Sequence, residues 1–168
     1  MPPGRNLVPV AFPTEPVAEA IHRDCVRRRR AEGATVAGDA SLAPWGELAD
    51  TLKRSNRRQA ADIERKLDAI GCDVVPASNG DEPVSFEDDD GEVMAELEHE
   101  RWVQERRADG WEVGPLEDVD ARRSPFLVPW AELSEDVRDL DRDTVRQIPA
   151  FLVEIGDVVV RRPRPSRV

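Results

Sequence analysis

Two stretches of this chain repeat inside it, and that internal repeat constrains the fold more than any other feature. Residues 17–36 align with 94–113 at an offset of 77, with nine of 20 positions identical, among them His22 with His99, Arg29 with Arg106 and Gly33 with Gly110. Residues 42–75 align with 127–160 at an offset of 85, with twelve of 34 identical, including Pro44 with Pro129, Trp45 with Trp130, Arg57 with Arg142 and Gly71 with Gly156. The change of offset puts eight extra residues into the second copy, between Val113 and Leu127. The chain reads as a tandem duplication whose two units are related by an approximate two-fold.

Each unit reads as helix, loop, helix, helix. Segments 16–32 and 93–109 are dense in Ala, Glu and Arg with their less polar positions at helical intervals, and Gly33 or Gly110 closes the helix. A short extended piece, 111–113, follows in the second unit. Pro129 then starts a short second helix over 130–138. A third helix is expected over 57–70 and 142–155, N-capped by Ser55 or Asn56 and by Asp141, ended by Gly71 and Gly156, and kinked in the second unit by Pro149. Residues 73–75 and 158–160 are β-branched runs placed to pair as short strands. The expected class is mainly α with minor short β strands. The expected organisation is a flexible N-terminus over 1–15, unit 1 over 16–76, an acidic linker over 77–92, unit 2 over 93–160 and a basic flexible tail over 161–168.

Composition removes whole classes of function. No apolar run approaches the roughly 18 residues that span a bilayer, and no secretory leader is seen, so the expected location is the cytoplasm with no membrane role. The net charge of −11 opposes nucleic-acid binding, and it is uneven: residues 1–76 hold 12 basic and 11 acidic side chains, residues 77–168 hold 12 and 24. The four arginines from Arg27 to Arg30 are spread round a helix and read as a solvated face. Two cysteines and two histidines make a poor metal kit, so no metal and no cofactor is expected. The acidic run 81–92 lacks the spacing of a calcium loop.

The candidate chemistry lies in unit 2. His99, Trp102 and Arg106, at spacings of three and four, share one helical face, and Trp111 and Trp130 are placed to close over it. With Arg142 they make an aromatic and arginine-lined cleft suited to a planar anion, because indole faces stack rings and guanidinium forks bind phosphate or carboxylate. Trp130 recurs as Trp45 and reads as structural. Trp102 and Trp111 are replaced by Cys25 and Ala34 in unit 1, and fit either a ligand wall or a core. The recurrence of His22 and His99 argues for an imidazole bonded to a backbone carbonyl, and no Ser or Cys nucleophile stands beside either.

The residues His99, Trp102, Arg106, Gly110, Trp111, Gly114, Leu127, Pro129, Trp130, Asp141 and Arg142 resemble the pattern of the RyR domain, a repeat named from the ryanodine receptor and found also in bacterial proteins. The resemblance covers 93–157 and extends weakly over 16–75. It implies a regulatory binding module without catalytic activity, and carries the suggestion of a nucleotide-like ligand. The expected function is therefore non-enzymatic recognition of a small anion by unit 2, with a protein interaction adaptor that takes no small ligand as the alternative.

Overall fold

The computed structural model describes residues 11–35, 37–78 and 84–163. Unit 1 contains α1 (Thr14–Ala31), α2 (Asp50–Ala61), α3 (Ile63–Ala69) and β1 (Cys72–Pro76). Unit 2 contains α4 (Asp88–Ala108), β2 (Glu112–Val113), β3 (Arg123–Ser124), α5 (Glu135–Arg146), α6 (Ile148–Glu154) and β4 (Asp157–Arg161). Single 3-10 turns, Trp45–Glu47 and Trp130–Glu132, follow Pro44 and Pro129. The chain is mainly helical with short strands, and no helix among the described residues is long and apolar enough to cross a membrane.

Corresponding elements pack across the units. The third helix of each lies on the first helix of the other, α3 on α4 and α6 on α1. Strands β1 and β4 pair antiparallel with Val74 opposite Val159, Val75 opposite Val158 and Asp73 opposite Val160. Val74 and Val159 are themselves counterparts at the offset of 85, so the register is unchanged when the units are exchanged. One apolar core runs through both units. Val17, Ala20 and Ile21 enter it from α1, Met94 and Ala95 from α4, Ile63 and Leu67 from α3, and Ile148, Phe151 and Leu152 from α6.

Several boundaries differ from expectation. Helix α4 begins at Asp88, so the end of the run expected as linker is its first turn. Glu87 and Asp90 form a capping box, and three aspartates meet the positive end of the helix dipole. Residues 79–83, the centre of that linker, lie outside the described residues. The expected second helix over 130–138 is one 3-10 turn followed by extended Leu133, which is buried. Helix α5 starts after Ser134, so Asp141 lies inside it and is not a cap; Ser55 and Asn56 likewise lie inside α2.

The expected third helix is broken. In unit 2 the break falls at Gln147, and Pro149 sits in the first turn of α6, where its missing N–H costs nothing. Unit 1 breaks at the corresponding Asp62 without a proline, so packing and not Pro149 sets the break. Of the expected termini, residues 1–10 and 164–168 lie outside the described residues. Thr14 and Glu15 already belong to α1. Arg161 belongs to β4, and its guanidinium reaches Asp90 at 2.6 Å, while Arg162 reaches Asp68 at 2.7 Å.

The extra residues of unit 2 fold as a small loop in which β2 and β3 pair in parallel. Gly114 allows this approach, since a Cβ there would stand 2.8 Å from the Cβ of Arg123. Arg122 takes φ +52°, the left-handed region that glycine prefers, and its Nη1 donates to the carbonyl of Asp109 at 2.8 Å.

Candidate functional site

The six residues singled out from the sequence form one continuous string of ring and guanidinium contacts along α4 and the loops that cross it. The Arg106 guanidinium lies between two indoles, 5.5 Å from the centre of Trp102 and 4.4 Å from that of Trp111. Trp102 stacks on His99 at 6.0 Å, and His99 meets Trp130 at 5.9 Å. Arg142 lies over Trp130 at 5.8 Å.

The two ends of the string differ in how far their polar atoms are already used. Arg142 donates to Glu92 at 2.7 Å and to Glu135 and Asp139 at 2.8 Å each. Trp130 Nε1 donates to the same Glu92 at 3.1 Å. Arg142 is the first cause that holds the Glu92 carboxyl below its ordinary range, with burial opposing. Unit 1 repeats the clamp, with Arg57 bidentate on Glu15 at 2.6 and 2.8 Å and 5.7 Å above Trp45. A Glu–Trp–Arg clamp present in both units holds the proline loop against its helix.

His99 is 4% exposed and serves the same packing. Its Nε2 donates to the Val128 carbonyl at 2.7 Å, and His22 Nε2 donates to the corresponding Ala43 carbonyl at 2.8 Å. This is the imidazole-to-backbone bond expected from the recurrence of the two histidines. His99 differs in a second partner: its Nδ1 faces Asp141 at 3.6 Å, where unit 1 has Asn56. Burial works against the imidazolium, but Asp141 and the Val128 carbonyl outweigh it and raise His99 above its ordinary value. Burial pushes the Asp141 carboxyl up, with His99 opposing.

The folded His99 therefore binds its proton more tightly than the unfolded chain does. Its stabilisation is complete below about pH 6.5 and is lost as pH rises through the raised value. The two-histidine proton NMR spectrum is expected to show His99 titrating above 6.5 and moving down in Asp141→Asn. Equal titration curves in the two proteins would remove Asp141 as the cause.

Of the six, Trp111, which is 9% exposed, faces open space beside the end of α4. It walls a cleft of about 550 Å3 between α2 of unit 1 and the end of α4, with Arg54, Arg58, Arg122, Glu105 and Asp109 around it. Arg58 stands 3.5 Å from Glu105, whereas Arg54 has no ion-pair partner among the described residues. Arg122, held left-handed, covers the carbonyl end of α4. The three positions on α2 are Thr51, Arg54 and Arg58; their counterparts on α5 are Asp136, Asp139 and Asp143, and the counterpart of Trp111 is Ala34. Aromatic wall and basic lining thus occur together in this cleft and are both missing at the aligned positions.

Sequence reasoning missed Arg54, Arg58 and Arg122, which lie outside the aligned identities, and it missed Glu92. The signal for Glu92 was present, because Glu15 and Glu92 match at the offset of 77 just ahead of the aligned block. Among the described residues no group of three or more His, Cys, Asp or Glu side chains is placed to hold a metal ion. Residues 88–161 match the family model of the RyR domain, which supports placing the span from α4 to β4 in the RyR domain family.

Proposed function

We propose that this chain is a non-enzymatic sensor of a planar anionic ligand, nucleotide-like in having a ring and a phosphate or carboxylate, and that the ligand enters the Trp111 cleft. An RyR domain is a regulatory or interaction module, which is the frame for this reading. The observation that carries it is the coincidence of one indole wall with Arg54, Arg58 and Arg122 in a protein of net charge −11. Guanidinium groups concentrated there offer bidentate donors to an anion, and the indole offers a stacking face. Arg54 comes from unit 1 and Trp111 from unit 2, so occupancy ties the units together, a change that a partner protein can read.

On this reading the units arose by tandem duplication of an RyR-type repeat of the kind found in bacterial proteins. Unit 2 kept the aromatic string and unit 1 gave up Trp102 and Trp111 for Cys25 and Ala34. The protein works in the cytoplasm, where Cys25 and Cys72 remain thiols, and its charge keeps it off nucleic acid.

A thermal-shift series against nucleotides, cyclic dinucleotides and ADP-ribose derivatives tests the ligand. A ligand that binds the folded state raises Tm with concentration, by roughly 2.7 kcal/mol of stability at one hundred times Kd. That rise is expected to vanish in Arg54→Glu and in Arg122→Gly, two exposed changes of which the second suits the local φ. A rise that survives both variants places the ligand elsewhere, and none with any compound removes the sensor reading.

A further inference from the structure

Unit 1 holds a groove of its own, about 700 Å3, between α1 and the segment 42–45. Its apolar side is made by Val26, Leu42, Pro44 and Trp45, and Arg23, Arg27 and Arg30 stand along it on α1. The corresponding positions in unit 2 are Glu100, Gln104 and Arg107, so this helix edge carries three positive charges in unit 1 and no net charge in unit 2. In unit 2 Arg107 is tied down, its Nη2 donating to the Leu127 carbonyl at 3.3 Å. Arg30 has no such bond and no ion-pair partner among the described residues. Arg23 pairs with Glu19 and Glu154 through partly exposed side chains, and such pairs are readily exchanged; Arg27 pairs with the buried Asp24, which Arg28 also holds at 2.8 Å.

We propose that this groove, independently of the Trp111 cleft, binds an extended acidic segment of a partner protein in which acidic and apolar side chains alternate. Two observations fix the class. The first is charge: three guanidinium groups and one carboxylate, Glu19, edge an apolar floor in a protein whose net charge is −11, so this face is locally positive and draws an anionic occupant. The second is spacing. Along a helix Arg23, Arg27 and Arg30 rise by roughly 6 and 4.5 Å, and alternate side chains of an extended chain stand about 6.6 Å apart. Successive carboxylates of such an alternating chain can each meet an arginine while the intervening side chains turn down onto Val26, Leu42 and Pro44. The positive charge of this edge is what distinguishes unit 1 from unit 2 here, and it gives the degenerate unit a role of its own.

Fluorescence anisotropy of the full chain with a fluorescein-labelled hexapeptide of three aspartates alternating with leucine and phenylalanine is the test. Saturable binding is expected, weakened at least tenfold by Arg27→Gln combined with Arg30→Glu and by 0.5 M salt, and lost when serine replaces the leucine and phenylalanine. The combined variant is expected to keep cooperative unfolding, since both positions are exposed on α1 and Arg28 still holds the buried Asp24 at 2.8 Å. Arg54→Glu is expected to bind the peptide as the wild type does, which separates this groove from the Trp111 cleft. No saturation, an affinity indifferent to the two arginines, or loss of binding in Arg54→Glu would overturn the proposal. Capture of phosphatidylglycerol vesicles through the same arginines, without binding of the peptide, would overturn the peptide assignment.

Discussion

Glu98→Ile alone is expected to remove about 3–5 kcal/mol of unfolding free energy, and adding Lys66→Phe is expected to restore most of it. Lys66 is 1% exposed, and its Nζ lies 2.8 Å from Glu98 and 2.8 Å from Asp62. Glu98, itself buried, also receives the Arg101 guanidinium at 2.8 Å. Burial opposes ionisation of Glu98, but Lys66 and Arg101 outweigh it and hold the carboxyl below its ordinary range. Removing that carboxylate leaves an ammonium in the core with Asp62 as its one acidic partner, and the penalty of a buried charge stripped of its buried counter-ion exceeds the value of the pair itself.

The aligned positions supply the repair. The counterparts of Glu98 and Lys66 are Ile21 and Phe151, both buried in the same core. The double variant writes the apolar solution of one side onto the other, and Arg101 keeps Glu105 while Asp62 keeps Arg65. Urea unfolding of the two single variants and the double gives the cycle. A double variant as unstable as Glu98→Ile would show that the two sides of the core are not interchangeable. A single variant within 1 kcal/mol of the wild type would show that water reaches the pair.

The internal repeat made much of this fold legible. Gly33, Gly71, Gly110 and Gly156 mark four chain reversals, all with positive φ between +71° and +92°, and the two valine runs announced the pairing of β1 with β4. Helix periodicity could not show that α2 and α5 start early and break at Asp62 and Gln147, because those positions read as ordinary helical residues and only packing against the opposite unit decides them. Composition misled at the linker: the aspartates from Asp88 to Asp90 look like solvated chain until they are seen at the positive end of a helix. Helical spacing put His99, Trp102 and Arg106 on one face, and Trp111, Trp130 and Arg142 join that string from other elements. The cleft was not legible in this way, because Arg54 and Arg58 belong to unit 1 and gain their meaning only when folding brings α2 against Trp111.

Trp111→Ala is expected to cost about 3–5 kcal/mol, so its effect on ligand binding cannot be separated from its effect on the fold. The ring is 9% exposed and carries the Arg106 guanidinium at 4.4 Å, with Trp102 on the other flank of the same guanidinium at 5.5 Å. Removing the indole exposes the inner end of α4 and leaves Arg106 with a single ring. Arg106→Ala is expected to cost less, about 1–2 kcal/mol, because each cation–π contact contributes modestly and Trp102 and Trp111 can close on each other. Unit 1 shows the alternative state of the same arginine: with Cys25 and Ala34 in place of the indoles, Arg29 turns to Asp39 at 3.0 Å. Trp111→Phe keeps a stacking face and is expected to retain both cooperative unfolding and the ligand-induced rise in Tm, whereas Arg54→Glu keeps the fold and loses the rise. If Trp111→Ala unfolds within 1 kcal/mol of the wild type, the indole contributes little to the core. Its conformation would then be held by Arg106 alone, leaving it available to a ligand at little structural cost.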